Sequence, residues 1–88
     1  MASYQEISET YIELRNLCDS RIPEDCLSGN DDGFECGERY LALNWLIADV
    51  LENEANIPVE PLLHAYSLLT EEDADEYSDK LRNWLKNR

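Results

Sequence analysis

The stretch from Glu35 to Glu54 most constrains what this chain can fold into. Tyr40, Leu43, Leu46, Ile47, Val50 and Leu51 recur at helical spacing there, and Leu41, Ala42, Trp45 and Ala48 widen the stripe around most of the girth. A helix apolar on most sides has to be wrapped by others, so the spacing predicts the central member of a bundle. Asn56-Ile57-Pro58 ends it, because the residue before a proline disfavours helix.

The flanking segments supply the wrapping. Ser3 followed by Glu6 is a capping-box signature, and Ile7, Tyr11, Leu14 and Cys18 then form one face of a helix over Ser3 to Asp19. Pro23 suits a first helical turn, which predicts a short helix from Pro23 to Leu27. Ser28-Gly29-Asn30-Asp31-Asp32-Gly33 reads as the clearest loop. Pro61 opens a further helix over Glu60 to Leu69, with Leu62, Leu63, Tyr66 and Leu69 inside. Thr70 with Asp73 is a second N-cap, starting a helix over Glu71 to Lys86 whose stripe is Ala74, Tyr77, Leu81 and Trp84 or Leu85. No segment alternates with period two. The expectation is an all-α fold: a small irregular bundle of four main helices plus one short helix, one domain over residues 1–88. Its expected core is Ile7, Tyr11, Leu14, Leu43, Leu46, Ile47, Val50, Leu62, Tyr66, Leu69, Leu81 and Trp84.

Charge limits the function. The chain carries 20 acidic side chains against 7 basic ones, a net charge of −13, although 43% of its residues are hydrophobic. Self-repulsion of this size disfavours compaction, and solubility alone needs a charge magnitude of only ~2–8 on a small domain. The excess points to attraction of a basic partner. Phosphates and anionic lipids would be repelled, which argues against direct nucleic acid or membrane binding. No run approaches the ~18 apolar residues of a membrane span, and no basic segment followed by an apolar one marks a secretory signal. The expected location is the cytoplasm.

Metal and catalytic chemistry find little support. Cys18, Cys26 and Cys36 are odd in number, lack Cys-x-x-Cys spacing and, with His64, match no zinc pattern. Free thiols suit a reducing compartment. The acidic loop, tested as a calcium-binding EF-hand from Ser28, puts Arg39 where the bidentate carboxylate belongs. There is no Gly-rich phosphate loop, no nucleophile elbow and no evident partner for His64. A protein without enzymatic activity, metal or cofactor is expected.

Two acidic sets are left as candidate binding features. Asp31, Asp32, Glu35 and Glu38 lie around the expected loop and the start of the central helix; Glu71, Glu72, Asp73, Asp75, Glu76 and Asp79 lie on the last one, where Glu72, Glu76 and Asp79 share a face. Helix-dipole complementarity explains the first acids of that last helix but not the continuation to Asp79. Phe34 lies in the acidic loop, outside every helical stripe, and is the first candidate for an aromatic anchor; its bland role is a plug over the bundle end. Trp45 is the second.

The run Gly37-Glu38-Arg39-Tyr40-Leu41-Ala42-Leu43-Asn44-Trp45-Leu46 resembles the Gly-Glu-x-x-x-Ala-Leu-x-x-Leu core of small bacterial immunity proteins of the MafI type. Asn53-Glu54-Ala55-Asn56-Ile57-Pro58-Val59 is similar to that family's acidic turn, and Trp84-Leu85 to its late aromatic position. The resemblance covers about residues 22–69. It implies a cytosolic immunity protein that neutralises the basic C-terminal toxin domain, frequently a nuclease, of a polymorphic toxin; a contact-dependent-inhibition immunity protein fits equally. From outside that class, a small acidic adaptor or regulator of a basic cellular protein also fits the composition.

Overall fold

The computed structural model describes residues 2–88. Five helices follow one another: α1 (Tyr4–Leu17), α2 (Glu24–Glu35), α3 (Arg39–Glu52), α4 (Val59–Ser67) and α5 (Glu71–Lys86). No strand occurs among the described residues, so the all-α bundle expected from the periodicities is the fold.

The two sequence caps form. Ser3 Oγ accepts the Glu6 N–H at 3.1 Å, and Thr70 Oγ1 accepts the Asp73 N–H at 3.2 Å. Each satisfies one of the amides that a helix N-terminus leaves unpaired.

The second helix corrects the sequence reading. Residues 28–33 are not a loop; they continue α2, which runs for 12 residues to Glu35, and the shortest helix is instead α4, with nine. The glycine that stops α2 is Gly37, at φ 92°. Its N–H bonds Phe34 O at 3.1 Å and the Glu38 N–H bonds Gly33 O at 3.0 Å. That is the Schellman pairing, which needs a left-handed residue after the last helical one. The same pairing ends α3, where Glu54 takes the left-handed position at φ 49° and the Ala55 N–H reaches Val50 O at 3.0 Å. Accordingly α3 begins at Arg39, later than the expected Glu35.

Helix α3 is the axis of the bundle. Ala42, Leu43, Leu46, Ile47 and Val50 have no exposed surface, and α1, α2, α4 and α5 all pack on it. Tyr11, Leu14, Leu27 and Leu62 close around them in one contiguous core. Tyr66 and Leu81, expected in the core, are only half-buried at its edge. Tyr66 lies between α4 and α5, its hydroxyl donating to Ala74 O. Trp84 anchors the end of α5, its indole N–H donating to Ala55 O at 2.9 Å. The Cα radius of gyration, 11.9 Å, matches the ~12 Å expected of a folded chain of this length.

Candidate protein-binding face

Asp31 and Phe34, two of the residues singled out from the sequence, turn inward on α2. The Tyr11 hydroxyl donates to Asp31 Oδ1 at 2.6 Å, and Arg15 Nε lies 3.0 Å from both carboxylate oxygens. Arg15 also reaches Asp19 at 2.6 Å, so it is held between two carboxylates. The Phe34 ring stacks on Tyr11 with centroids 4.5 Å apart, and the Arg39 guanidinium covers it at 3.8 Å. Arg39 further donates to Phe34 O and to Ser8 Oγ. Phe34 is therefore on the inward-facing stripe of a helix, packed against the core, and not on a free loop. Burial, followed by the Asp31 hydrogen bond, pushes the Tyr11 hydroxyl pKa well above its usual value.

Asp32, Glu35 and Glu38 are exposed, and none of them forms an ion pair among the described residues. Glu72, Glu76 and Asp79 are exposed on α5, and Asp79 meets Arg82 at 3.2 Å in an open pair that contributes little.

Between these two acidic helices runs the one face of α3 that reaches solvent. Leu41 and Trp45, expected to widen the buried stripe, are 41% and 42% exposed, and Glu52 is exposed two turns further on. Helix α2 lies along one side of this face: Asn30 Nδ2 donates to Asp49 Oδ2 at 2.8 Å, and a Cβ built on Gly33 would meet Trp45 Cζ3 at 3.1 Å. Helix α5 lies along the other: the Tyr77 hydroxyl donates to Asn44 Oδ1 at 2.5 Å, Tyr40 donates to Asp73 at 2.6 Å, and Lys80 pairs with Glu52 at 2.8 Å. Trp45 thus lies on a surface flanked by α2, which carries Asp32 next to Gly33, and by α5, whose Asp73, Tyr77 and Lys80 hold α3. From the sequence Leu41 belongs to the expected buried stripe, and Asp73 to the acidic run and N-cap of the last helix. The i, i+4, i+7, i+11 run Leu41-Trp45-Ala48-Glu52, closing on a carboxylate, is the signal that marks the outer face.

The basic side chains are largely committed within the chain. Arg15, Lys80 and Arg82 hold carboxylates, Arg21 donates to Leu17 O, Arg39 caps Phe34 and Arg88 lies over Trp84 at 4.3 Å. Most of the acidic groups stay exposed, so the field outside the bundle is negative. Among the described residues no group of His, Cys, Asp and Glu side chains is arranged to hold a metal ion, and no helix is long and apolar enough to cross a membrane. His64 is exposed on α4, and its backbone carbonyl accepts from the Ser67 hydroxyl at 2.6 Å. Compared with protein-family models, curated proteins and solved structures, the chain matches none.

Proposed function

We propose that this chain is a cytoplasmic immunity protein, which binds the basic toxin domain of a bacterial polymorphic or contact-dependent-inhibition toxin and blocks it without chemistry. The observation that carries the reading is the net charge of −13 on an ordered bundle whose cations are mostly engaged internally. A domain keeps such self-repulsion at a cost to its own stability, and a cationic partner relieves it. The resemblance of residues 37–46 to MafI-type proteins supplies the partner class. A nuclease toxin has to hold a polyanion, so its groove is basic, and an acidic helical surface complements it. Steering by opposite charge raises association rates toward ~10⁸–10⁹ per molar per second, which suits an inhibitor that has to intercept its target early.

The test is co-expression with the C-terminal domain of the protein encoded immediately upstream of this gene, followed by nuclease assay and stopped-flow association. Inhibition at a near-stoichiometric ratio is expected, with association slowing steeply as the Debye length falls from ~10 Å at 0.1 M salt to ~3 Å at 1 M. Full nuclease activity in the presence of excess protein overturns the reading. Tight binding to a basic host protein in place of the toxin favours an adaptor.

A further inference from the structure

We infer that the partner docks on the Leu41–Trp45 face of α3 and presents an arginine to the Trp45 indole. The inference rests on the reading that this chain binds a basic protein, and it names the face and the chemistry of that contact.

Three observations converge. Leu41 and Trp45 stand one turn apart on a helix whose other leucine, isoleucine and valine side chains are all buried, so their exposure is not a by-product of a loosely packed segment. Second, the α2 backbone beside them is bare. Gly33 lies against the indole, and a Cβ on Gly29, one turn earlier, would meet nothing within 4 Å. Glycine weakens a helix interior, and packing at Gly33 accounts for one of the two but nothing internal accounts for Gly29. A strip without side chains beside an exposed indole lets a planar group or a partner's backbone approach closely. Third, both flanking helices carry exposed carboxylates, Asp32 beside Gly33 on α2 and Glu76 beside Tyr77 on α5, and Glu38 stands at the N-cap of α3.

That combination selects the occupant. An exposed indole between two helices that carry exposed acids attracts a cation. Guanidinium fits better than ammonium, because it is planar, weakly hydrated and can stack on the ring while its N–H groups point to those acids. A second copy of this chain is disfavoured, since two surfaces of −13 repel.

The probes are deca-arginine and deca-lysine, titrated into ¹⁵N-labelled protein at about 0.1 M salt. The Trp84 indole N–H, buried and bonded to Ala55 O, serves as an internal reference. Shifts concentrated on the Trp45 indole and the Gly29 and Gly33 amides are expected, with arginine binding at least about threefold tighter than lysine. Trp45→Ala should weaken deca-arginine binding about tenfold, the scale of a hot-spot residue, with the far-ultraviolet spectrum unchanged. A triple Glu6→Gln, Glu9→Gln, Glu13→Gln variant removes more charge from α1 and should weaken it less than about threefold. Perturbations spread evenly over α1 and α3, equal affinity in Trp45→Ala, or dimerisation through this face without peptide would overturn the inference. A toxin domain inhibited equally by the wild type and Trp45→Ala overturns the face but leaves the immunity reading. Peptide binding at Trp45 with no toxin inhibition supports the face and removes the toxin.

Discussion

The Tyr11 hydroxyl and the Asp31 carboxylate, 2.6 Å apart, tie α1 to the middle of α2. The Tyr11 ring is buried, and Asp31 is the acceptor of its hydroxyl and of Arg15 together. Asp31→Ala removes the acceptor that the Tyr11 hydroxyl and Arg15 share and should destabilise the protein by ~1–3 kcal/mol. Chemical denaturation of the variant checks this. Partner affinity of the folded fraction should stay close to that of the wild type, because this carboxylate is already committed inside the molecule.

Phe34→Ala should act on stability first. The ring is sandwiched between Tyr11 and the Arg39 guanidinium, so its loss opens the junction of α1, α2 and α3. A cost of about 2–3 kcal/mol is expected, below the ~3–5 of a fully buried ring. A thermal melt beside a binding isotherm separates this from an anchor at the interface, which would weaken binding at an unchanged melting temperature.

The two glycines inside α2 should respond differently to alanine. At Gly29 the added methyl meets open space, and Gly29→Ala should stabilise the helix by up to ~1 kcal/mol. At Gly33 the same methyl comes within 3.1 Å of the Trp45 ring. The half-exposed indole has to move by a few tenths of an ångström, which offsets the gain in helix propensity. Paired melts, with Trp45 emission recorded, should show a higher melting temperature for Gly29→Ala and a spectral change with little gain for Gly33→Ala.

Alkali should destabilise the fold through groups that keep their protons only when folded. Burial pushes the Cys18 thiol up from 9.0 to about 11. Burial also raises the Tyr11, Tyr66 and Tyr77 hydroxyls. Above the unfolded thiol value the unfolded chain has lost protons that the native state retains, so stability falls with rising pH from about 9 to about 11. Cys18 alone accounts for a loss on the order of 2 kcal/mol. Denaturation midpoints across that range check the sign, and Cys18→Ala should flatten the slope. Thiol labelling should find Cys36 fast, Cys26 slower and Cys18 reactive only on unfolding, in the order of their exposure.

The elements whose signals are local were legible in the sequence. Ser3 and Thr70 cap the helices they were expected to cap, and the periodicity of residues 40–51 marks the axis of the bundle. The continuation of α2 was not legible. Gly, Asn and Asp are each poor helix formers and good turn formers, so Ser28 to Gly33 reads as a turn on local preference. The helix is held by partners elsewhere in the chain: Leu27 in the core, Asn30 on Asp49, Asp31 on Tyr11 and Arg15, and Phe34 on Tyr11. None of these contacts lies within a window of local sequence. The exposed face of α3 was hidden for the opposite reason. A helix apolar nearly all round does not say which of its sides the bundle leaves open, and that depends on where α2 and α5 settle.

Of the 16 residues of α5, only Trp84 is fully buried, near the helix's last turn. Ala74, Tyr77 and Leu81 add only half-buried contacts at the edge of the core, and the remaining ties are polar: Asp73 to Tyr40, Tyr77 to Asn44, Ala74 O to Tyr66 and Lys80 to an exposed Glu52. Such a segment sits at the low end of the local-opening scale. Helix α5 is therefore expected to open before the four helices that precede it, and its amides should lose hydrogen-exchange protection at a lower free energy than those of α3. Such an opening would bare the Tyr40 and Asn44 side of the axial helix to solvent, a second, short-lived surface that the closed form keeps covered.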